Sequence, residues 1–128
     1  MTNPISSYLG VHGAALPLRE QRMQLIASNL SNADTPNFKA KDISFQAVLE
    51  AAASNTATGG AAGERSPNAL ELNAQIFERQ GLQPSLDGNT VDADTERAAY
   101  GRAALEYRAS LSFIESKVRT MLTAITGQ

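Results

Sequence analysis

The sequence predicts a mainly α-helical protein in which long N- and C-terminal helices pair as a coiled coil, with a short irregular and β-hairpin middle region and a flexible linker. Near both ends of the chain, apolar residues recur at alternating intervals of three and four, which is the spacing of a coiled-coil seam. Residues 51–69, by contrast, are rich in Ala, Ser, Thr, Gly and Asn and hold almost no large apolar side chain. The 128 residues are therefore expected to form one structural domain with five segments.

The N-terminal helix is expected over residues 1–32. Large apolar side chains follow the three-four spacing along it, and Leu18 and Leu25 widen the stripe. Pro17 should kink this helix or mark its start, because proline lacks a backbone donor and clashes with the preceding turn. The helix should end near residue 32, since the residue before Pro36 is disfavoured in the α conformation. We call the following residues the N-terminal seam: Leu9, Leu16, Met23, Ile26 and Leu30.

The middle of the chain divides into three segments. Residues 33–50 are expected to form a loop that ends in a short helix beginning near Phe45. Residues 51–69 form the linker. Over residues 70–91, weak alternation of apolar side chains around Asp87-Gly88-Asn89 predicts short strands and a turn.

The C-terminal helix, expected over residues 92–128, has the strongest pattern. Asp92, Asp94 and Glu96 suit its beginning, because carboxylates cap free backbone N–H groups and favour the positive end of a helix. Gly127 lies where a helix C-cap is expected. We call the following residues the C-terminal seam: Tyr100, Ala104, Tyr107, Leu111, Ile114, Val118, Met121 and Ile125.

The dimensions of this helix indicate a subunit that is completed by assembly. A helix from about Asp94 to Thr126 would be roughly 50 Å long at 1.5 Å per residue, whereas a compact chain of this size would have a diameter of roughly 36 Å. Leu, Ile, Val and Phe together number only 27 of 128 residues, which leaves little for an independent core. Two narrow seams at opposite ends of the chain are therefore expected to contact each other and also neighbouring subunits.

Composition excludes several classes of function. The formal net charge of -2 and the absence of clustered Lys and Arg argue against a nucleic-acid partner. No apolar run reaches the ~18 residues of a transmembrane helix, and the first residues lack the basic and apolar regions of a cleavable secretory signal. A chain with no cysteine forms no disulfide, zinc-thiolate site or cysteine nucleophile.

Residues that could carry chemistry are sparse. His12 is the only histidine, and its place within the helical pattern favours packing or a surface position over catalysis or metal binding. The acidic run from Asp87 to Asp94 does not fit a calcium loop, because Val91 and Asp92 stand where a ligand and a glycine are needed. We therefore predict no enzyme activity, no catalytic residue, no cofactor, no metal site and no small-molecule substrate.

Three hypotheses for function remain at this point. The first is a structural subunit of a larger assembly, which the two seams favour. The second is a soluble helical binding module, such as an export chaperone or adaptor, that dimerises through the C-terminal seam. The third is a small hydrolase that uses His12 and a carboxylate, although this composition can hardly build the pocket that catalysis needs.

The segment Ser28-Asn29-Leu30-Ser31-Asn32-Ala33-Asp34-Thr35-Pro36-Asn37-Phe38-Lys39-Ala40 resembles a motif of the flagellar axial proteins, which form the rod, hook and hook-associated parts. The usual form in that family is Asn-Ile-Ala-Asn-x-x-Thr-Pro-Gly-Tyr. The matching residues are Asn29, Asn32, Thr35, Pro36 and Phe38. Leu30, Ser31 and Asn37 depart from the motif; the last change is mild, because asparagine tolerates left-handed backbone angles.

Two further stretches resemble the short proximal-rod members of that family. They are Lys41-Asp42-Ile43-Ser44-Phe45 and Leu86-Asp87-Gly88-Asn89-Thr90-Val91-Asp92. The length agrees as well, since hook and distal-rod proteins are much longer.

This resemblance implies a structural subunit of the bacterial flagellar basal-body rod. Such subunits are exported by the flagellar type III apparatus without a cleaved signal and form a helical tube across the periplasm. The tube joins the membrane ring to the distal rod and transmits torque. The implied partners are other copies of the chain, other rod proteins, the membrane-ring and rod-adaptor proteins, and the export apparatus. In the family the two terminal helices form a coiled coil facing the inside of the tube, and the motif loop packs against adjacent subunits.

Overall fold

The fold is described from a computed structural model, which describes residues 4–48, 76–81 and 85–127. The elements are helix α1 (Pro4–Ser31), strand β1 (Lys41–Ile43), helical residues 45–48, strand β2 (Ile76–Glu78) and helix α2 (Ala93–Thr126). The chain is mainly helical, which confirms the predicted fold class. The predicted linker, 51–69, and the first part of the predicted strand region, 70–75, lie outside the described residues.

Helix α1 is interrupted at Gly10 and not at Pro17. Gly10 has φ 53° and ψ -137°, a conformation that glycine adopts without the steric cost of a Cβ atom. Pro17 lies within the helical part that follows, so the expectation of a helix start at this residue was wrong, and the expected kink there stays a prediction. Pro17 is on an exposed face, where water can hydrate the carbonyl of Gly13 that loses its backbone donor. The end of α1 at Ser31 confirms the predicted boundary.

Helix α2 has a defined cap at each end. Asp92 is the N-cap, and its carboxylate accepts hydrogen bonds from the backbone N–H groups of Asp94 and Thr95 at 3.0 and 3.3 Å. These two N–H groups lower the pKa of Asp92 below its ordinary value. Gly127 ends the helix in the left-handed conformation, as predicted, with φ 71°. Among the helices described, none has the length and apolar character that a membrane span requires.

Helices α1 and α2 pack antiparallel in constant register. Steps of 4, 11 and 21 residues along α1 from Tyr8 are matched by equal steps backwards along α2 from Lys117. The paired residues are Tyr8 with Lys117, His12 with Phe113, Arg19 with Glu106, and Asn29 with Glu96. The hairpin is therefore straight enough to keep the two helices side by side on both sides of Gly10.

Strand β2 pairs with β1, across the linker, in an antiparallel two-stranded sheet. The register places Lys41 opposite Glu78 and Ile43 opposite Ile76. The sequence pattern suggested strands on either side of the turn at Asp87-Gly88-Asn89, but no described residue after this turn forms a strand. Instead, the turn binds the loop that follows α1.

A small apolar core joins α1 to β1. Leu18 and Ile43 are buried, and Leu25, Phe45 and Val48 pack against them. Leu18 and Leu25 were expected to widen the stripe of the N-terminal seam, but they form this separate contact instead. Helix α1 thus has two apolar faces, one toward the sheet and one toward α2.

Candidate assembly interface

Asn29 connects three elements at the end of α1. Its side-chain amide forms a pair of hydrogen bonds with the backbone of Lys41, donating from Nδ2 to the carbonyl at 2.8 Å and accepting at Oδ1 from the N–H at 2.9 Å. Nδ2 also lies 3.3 Å from Oε2 of Glu96. Because Asn29 is 1 % exposed, these bonds satisfy an amide that would be costly to bury alone. The residue therefore holds α1, β1 and α2 together.

We call residues 32–40 the post-helix loop, which contains the remaining matched motif residues. Asn32 donates from Nδ2 to the carbonyl of Ser28 at 2.8 Å, and Thr35 donates from its hydroxyl to Oδ1 of Asn32 at 3.2 Å. Pro36 is exposed, and Phe38 is half-buried. The local hydrogen bonds end the helix in a defined turn and leave Thr35 and Pro36 on the surface.

We call residues 85–91 the pre-helix turn, and it is bonded along its length to the post-helix loop. The N–H of Asn37 donates to the carbonyl of Asp87 at 2.8 Å, and the N–H of Thr90 donates to the carbonyl of Phe38 at 3.0 Å. Lys39 adds a bond from Nζ to the carbonyl of Gly88 at 2.7 Å. The motif segment that follows α1 and the stretch Leu86–Asp92, which both resemble the same family, are thus in direct contact, although Lys39 and Gly88 are 49 positions apart in the chain.

Asn89 is the central residue of this contact. Its Nδ2 lies within 3.0 Å of three carbonyl oxygens, those of Asn32, Ala33 and Thr35. Its Oδ1 accepts a hydrogen bond from the N–H of Val91 at 2.8 Å. The only sequence signal for this role of Asn89 is its place in an Asp-Gly-Asn turn, which does not by itself predict a contact with the post-helix loop.

A buried charge network, which the sequence pattern does not predict, lies beside Asn29. Glu96 is 2 % exposed, and its Oε1 lies 2.7 Å from Nη2 of Arg79, an ion-pair distance without the direction of a good hydrogen bond. Asp42 is also buried. Its Oδ1 lies 3.1 Å from Nε of Arg22, and its Oδ2 lies 3.6 Å from Nε of Arg79. The sequence marked Glu96 only as a helix-start carboxylate, because its partners come from distant segments.

The predicted seam residues are only partly covered by the partner helix. The buried residues of α2 are Glu96, Ala103 and Ser110, which are spaced seven apart and form a line beside the C-terminal seam. Within the C-terminal seam, Ala104, Tyr107, Leu111, Ile114 and Met121 are half-buried, and Tyr100, Val118 and Ile125 are exposed. Within the N-terminal seam, Ile26 is fully buried, and Leu9, Leu16, Met23 and Leu30 are half-buried. One flank of the apolar stripe therefore stays open along the hairpin.

An open groove lies between the two helices on this uncovered flank. It has a volume of about 300 Å³ and its lining is mainly apolar. The lining residues are Glu20, Met23, Gln24, Ala27, Tyr100 and Tyr107. Met23, Tyr100 and Tyr107 are seam residues, so the groove is part of the predicted contact surface.

His12 takes part in a surface aromatic cluster at the other end of the hairpin. Its ring centroid lies 4.1 Å from that of Phe113. Lys117 lies over the rings of Tyr8 and Phe113, at 5.3 and 5.6 Å. The predicted packing or surface position of His12 is confirmed.

Comparison with known proteins gives one consistent family. Residues 9–39, which cover most of α1 and the post-helix loop, match the family model described as "Flagella basal body rod protein". The "Flagellar basal body rod protein FlgB" of Aeromonas hydrophila is 42 % identical over 122 residues, covering 93 % of this chain and 92 % of that protein. Proteins of the same name from Cereibacter sphaeroides and Escherichia coli K12 are 38 % and 33 % identical, each over at least 94 % of both chains.

Proposed function

Because the chain belongs to the FlgB family of flagellar basal body rod proteins, we propose that it is a structural subunit of the bacterial flagellar rod. It assembles helically with other rod proteins into the proximal part of the drive shaft. There it connects the membrane ring to the distal rod and transmits torque. In this role the chain has no catalytic function.

Identity of 42 % across almost the whole chain is the observation that carries this proposal. The uncovered flank of the two seams supports it, because a subunit that folds alone would bury its largest apolar stripe. Tyr100, Val118 and Ile125 are instead exposed on the described chain. In the assembled rod, neighbouring subunits bury these side chains.

Stiffness is the property that torque transmission requires. Helix α2 has 34 residues, which at 1.5 Å per residue makes it about 50 Å long. The buried hydrogen bonds of Asn29 and Asn89 attach the post-helix loop and the pre-helix turn to the adjacent ends of α1 and α2. A force on the loop or the turn is therefore transmitted to both helices. A locked hairpin of this kind is suited to carry load without bending at its connections.

The proposed partners follow from the rod assignment. They are other copies of the chain, other rod proteins, the membrane-ring and rod-adaptor proteins, and the type III export apparatus that delivers the subunit without a cleaved signal. The proposed location is the rod where it crosses the periplasm. The post-helix loop, with Thr35 and Pro36 on the surface, is the proposed contact with adjacent subunits.

A clean deletion in the source bacterium tests the proposal. We expect non-motile cells whose isolated basal bodies, viewed by electron microscopy, end at the membrane ring without rod or hook. Complete rods and hooks in the deletion strain would contradict the structural role and would favour the adaptor hypothesis.

A complementation experiment separates the structural role from the hydrolase hypothesis. His12→Phe keeps an aromatic ring against Phe113 and removes the imidazole. We expect this variant to restore motility to the deletion strain as well as the unchanged gene does. Loss of motility with normal export and normal amounts of protein would instead assign a chemical role to His12.

A further inference from the structure

The side of α2 that faces away from α1 carries an exposed leucine next to an open glycine. Leu105 is 70 % exposed and lies two residues after buried Ala103, which is roughly 200° around the helix. Gly101 lies one turn earlier on the same side, with nothing within 4 Å of the position that a Cβ atom would take. Glycine inside a helix lowers stability relative to alanine, and no described neighbour needs the space. Both residues therefore suit a surface that another helix approaches closely.

Arg108 adds a positive charge to this surface. It is exposed and lies three residues after Leu105, one turn further along α2. Among the described residues, none forms an ion pair with its guanidinium. We call Gly101, Leu105 and Arg108 the outer patch of α2.

The groove between α1 and α2 carries the opposite charge. Glu20 is exposed on its α1 wall and is the one charged residue among the described residues that line it. Within the described part of the chain, its carboxylate has no ion-pair partner. A partner that covers the apolar side chains of Met23, Tyr100 and Tyr107 also approaches this carboxylate, which favours a partner with a cation at the matching position.

The outer patch and the α1 wall of the groove have the same spacing. Each consists of a small, a large apolar and a charged residue at successive intervals of four and three. The members are Gly101, Leu105 and Arg108 on α2, and Ala27, Met23 and Glu20 on α1. Because the second set is read backwards along the chain, the two sets are level with each other when the two helices run antiparallel. The small residues then meet, the apolar side chains pack together, and the opposite charges face each other.

The outer patch does not reach the groove of its own chain. The groove lies beside α1, on the flank of α2 that carries Tyr100 and Tyr107, whereas Leu105 is on the side of α2 away from α1. The match therefore needs α2 of a second copy, running antiparallel to α1 of the first. Since α1 and α2 of one chain are themselves antiparallel, the two copies then point in the same direction. A helical row of identical subunits requires this common direction.

We propose that the outer patch of one copy docks in the groove of a second copy, with Leu105 against Met23 and Arg108 at Glu20. This inference rests on the proposed rod function, and it names a contact through which like subunits join. Because the outer patch and the groove are different surfaces of one chain, the contact is heterologous and repeats along a row of copies.

Charge reversal tests the contact in the deletion strain. Glu20→Arg and Arg108→Glu each place like charges opposite each other. We expect either change alone to reduce swimming at least about tenfold with normal export, because like charges are costly at an interface. Both changes in one gene restore opposite charges and should recover most of the swimming. Normal swimming of both single variants overturns the proposal.

Two singly changed genes in one cell show whether the contact joins different copies. Copies with Glu20→Arg and copies with Arg108→Glu can alternate along a row, so that every contact pairs opposite charges. We expect co-expression to restore swimming, although neither gene does so alone. Rescue by the double variant without rescue by co-expression would assign the pair to a single chain and overturn the proposal.

Arg102→Glu is the matched control for Arg108→Glu. Arg102 is also exposed on α2, but it lies roughly 120° around the helix from Arg108 and outside the outer patch. We expect this variant to swim like the unchanged strain. A loss as large as that of Arg108→Glu would attribute the defect to the total charge of α2 and would overturn the contact.

Disulfide cross-linking in basal bodies detects the contact directly, and the chain has no native cysteine. Two genes are expressed together, one with Ala27→Cys and the other with Gly101→Cys. A disulfide requires Cβ atoms about 3.5–4.5 Å apart, so bond formation demands close approach. After mild oxidation we expect a dimer on a non-reducing gel that disappears on reduction.

The cross-linking control moves one cysteine to another face of α2. Ala109 is exposed, and Ala109→Cys with Ala27→Cys is expected to give no dimer. No dimer from the Gly101 pair in motile cells, or equal dimer from both pairs, overturns the proposal. If the deletion strain lacks rods while the Gly101 pair fails to cross-link in motile cells, the rod function stands and this contact alone is wrong.

Discussion

At the scale of single residues, two buried asparagines hydrogen-bond segments of the chain to one another. Asn29 and Asn89 are both almost completely buried, at 1 % and 5 % exposure, and each uses its amide to bond backbone groups of a distant segment. Asparagine suits this task because one side chain supplies both donors and acceptors. The matched family motif therefore has a structural reason at Asn29, and Asn89 supplies the partner contact from the other end of the chain.

Gly88 provides a test of the contact between turn and loop. It has φ 74°, and a Cβ atom would lie 2.9 Å from Oδ1 of Asn37. We expect Gly88→Ala to lower the free energy of unfolding by about 1–2 kcal/mol, since a left-handed conformation is strained for alanine. Urea denaturation followed by circular dichroism measures the change.

Gly101 is the matched control for that substitution. It lies within α2 at negative φ with open space around the Cβ position. Gly101→Ala should raise the free energy of unfolding by about 0.5–1 kcal/mol through helix propensity. Equal effects of the two alanines would show that Gly88 does not need its special conformation.

At the scale of elements, each connection between helix and sheet is made by polar groups as much as by apolar ones. Asp42 on β1 and Glu96 on α2 are buried carboxylates, and Arg79, just after β2, lies between them. A two-stranded sheet is marginal by itself. The ion pairs with Arg79 therefore hold β2 against the rest of the hairpin.

Removing Arg79 should be far more harmful than removing an exposed arginine. Arg79→Ala leaves Glu96 buried without its ion-pair partner, and we expect a loss of about 3 kcal/mol, the lower end for an orphaned buried charge, because Arg79 is itself 26 % exposed. Arg97→Ala removes an exposed pair with Asp94 and should cost at most about 1 kcal/mol. Similar losses in urea denaturation would refute a structural role for the buried network.

The N-cap of α2 gives stability a predictable pH dependence. The backbone N–H groups of Thr95 and Asp94 hold the pKa of Asp92 below its ordinary 3.8. A lowered folded-state pKa stabilises the fold at pH values above 3.8, and this contribution disappears as the pH falls through the lowered pKa.

Asp92→Asn isolates this effect, because asparagine caps a helix without titrating. As the pH falls from about 5 to about 2, the unchanged chain should lose unfolding free energy relative to this variant, starting near the ordinary aspartate pKa of 3.8 and ending below the lowered folded-state pKa. If the difference in unfolding free energy between the two proteins stayed constant over that interval, the pKa of Asp92 would not differ between the folded and unfolded states.

At the scale of the whole molecule, burial is concentrated at one end of the hairpin. Ile26, Asn29, Ala40, Asn89 and Glu96 are all buried near the junction of the two motifs. Beyond Ser110, no described residue of α2 is buried. If the chain assembles as proposed, we expect the end that contains Gly10 and the last turns of α2 to gain the most stability from neighbouring subunits.

Hydrogen exchange of the isolated chain should reveal this difference in burial between the two ends of the hairpin. We expect slow exchange for backbone amides near Asn29 and Glu96, and fast exchange for residues 4–10 and 118–126, because opening the latter exposes little buried surface. In assembled rods the fast regions should become protected. Uniform protection along both helices of the isolated chain would contradict a subunit completed by assembly.

The sequence by itself determined the helices, their ends and the family. The three-four spacing predicted both long helices, Asp92 and Gly127 predicted the caps of α2, and the post-helix motif indicated the flagellar axial proteins, because these signals act between residues close in the chain. The missing backbone donor of Pro17 predicts a kink or a start of α1 at that residue, whereas the helix is interrupted at Gly10, which adopts the required conformation because it has no Cβ atom.

Only the tertiary structure decided which distant segments of the chain contact each other. The bonds of Asn89 to the post-helix loop, the pairing of β2 with β1, the Arg79 network and the contact of Asn29 with Glu96 all join distant segments. Small and polar side chains give no hydrophobic periodicity by which a sequence could predict such contacts. They become favourable only when packing removes water and brings each donor to its acceptor.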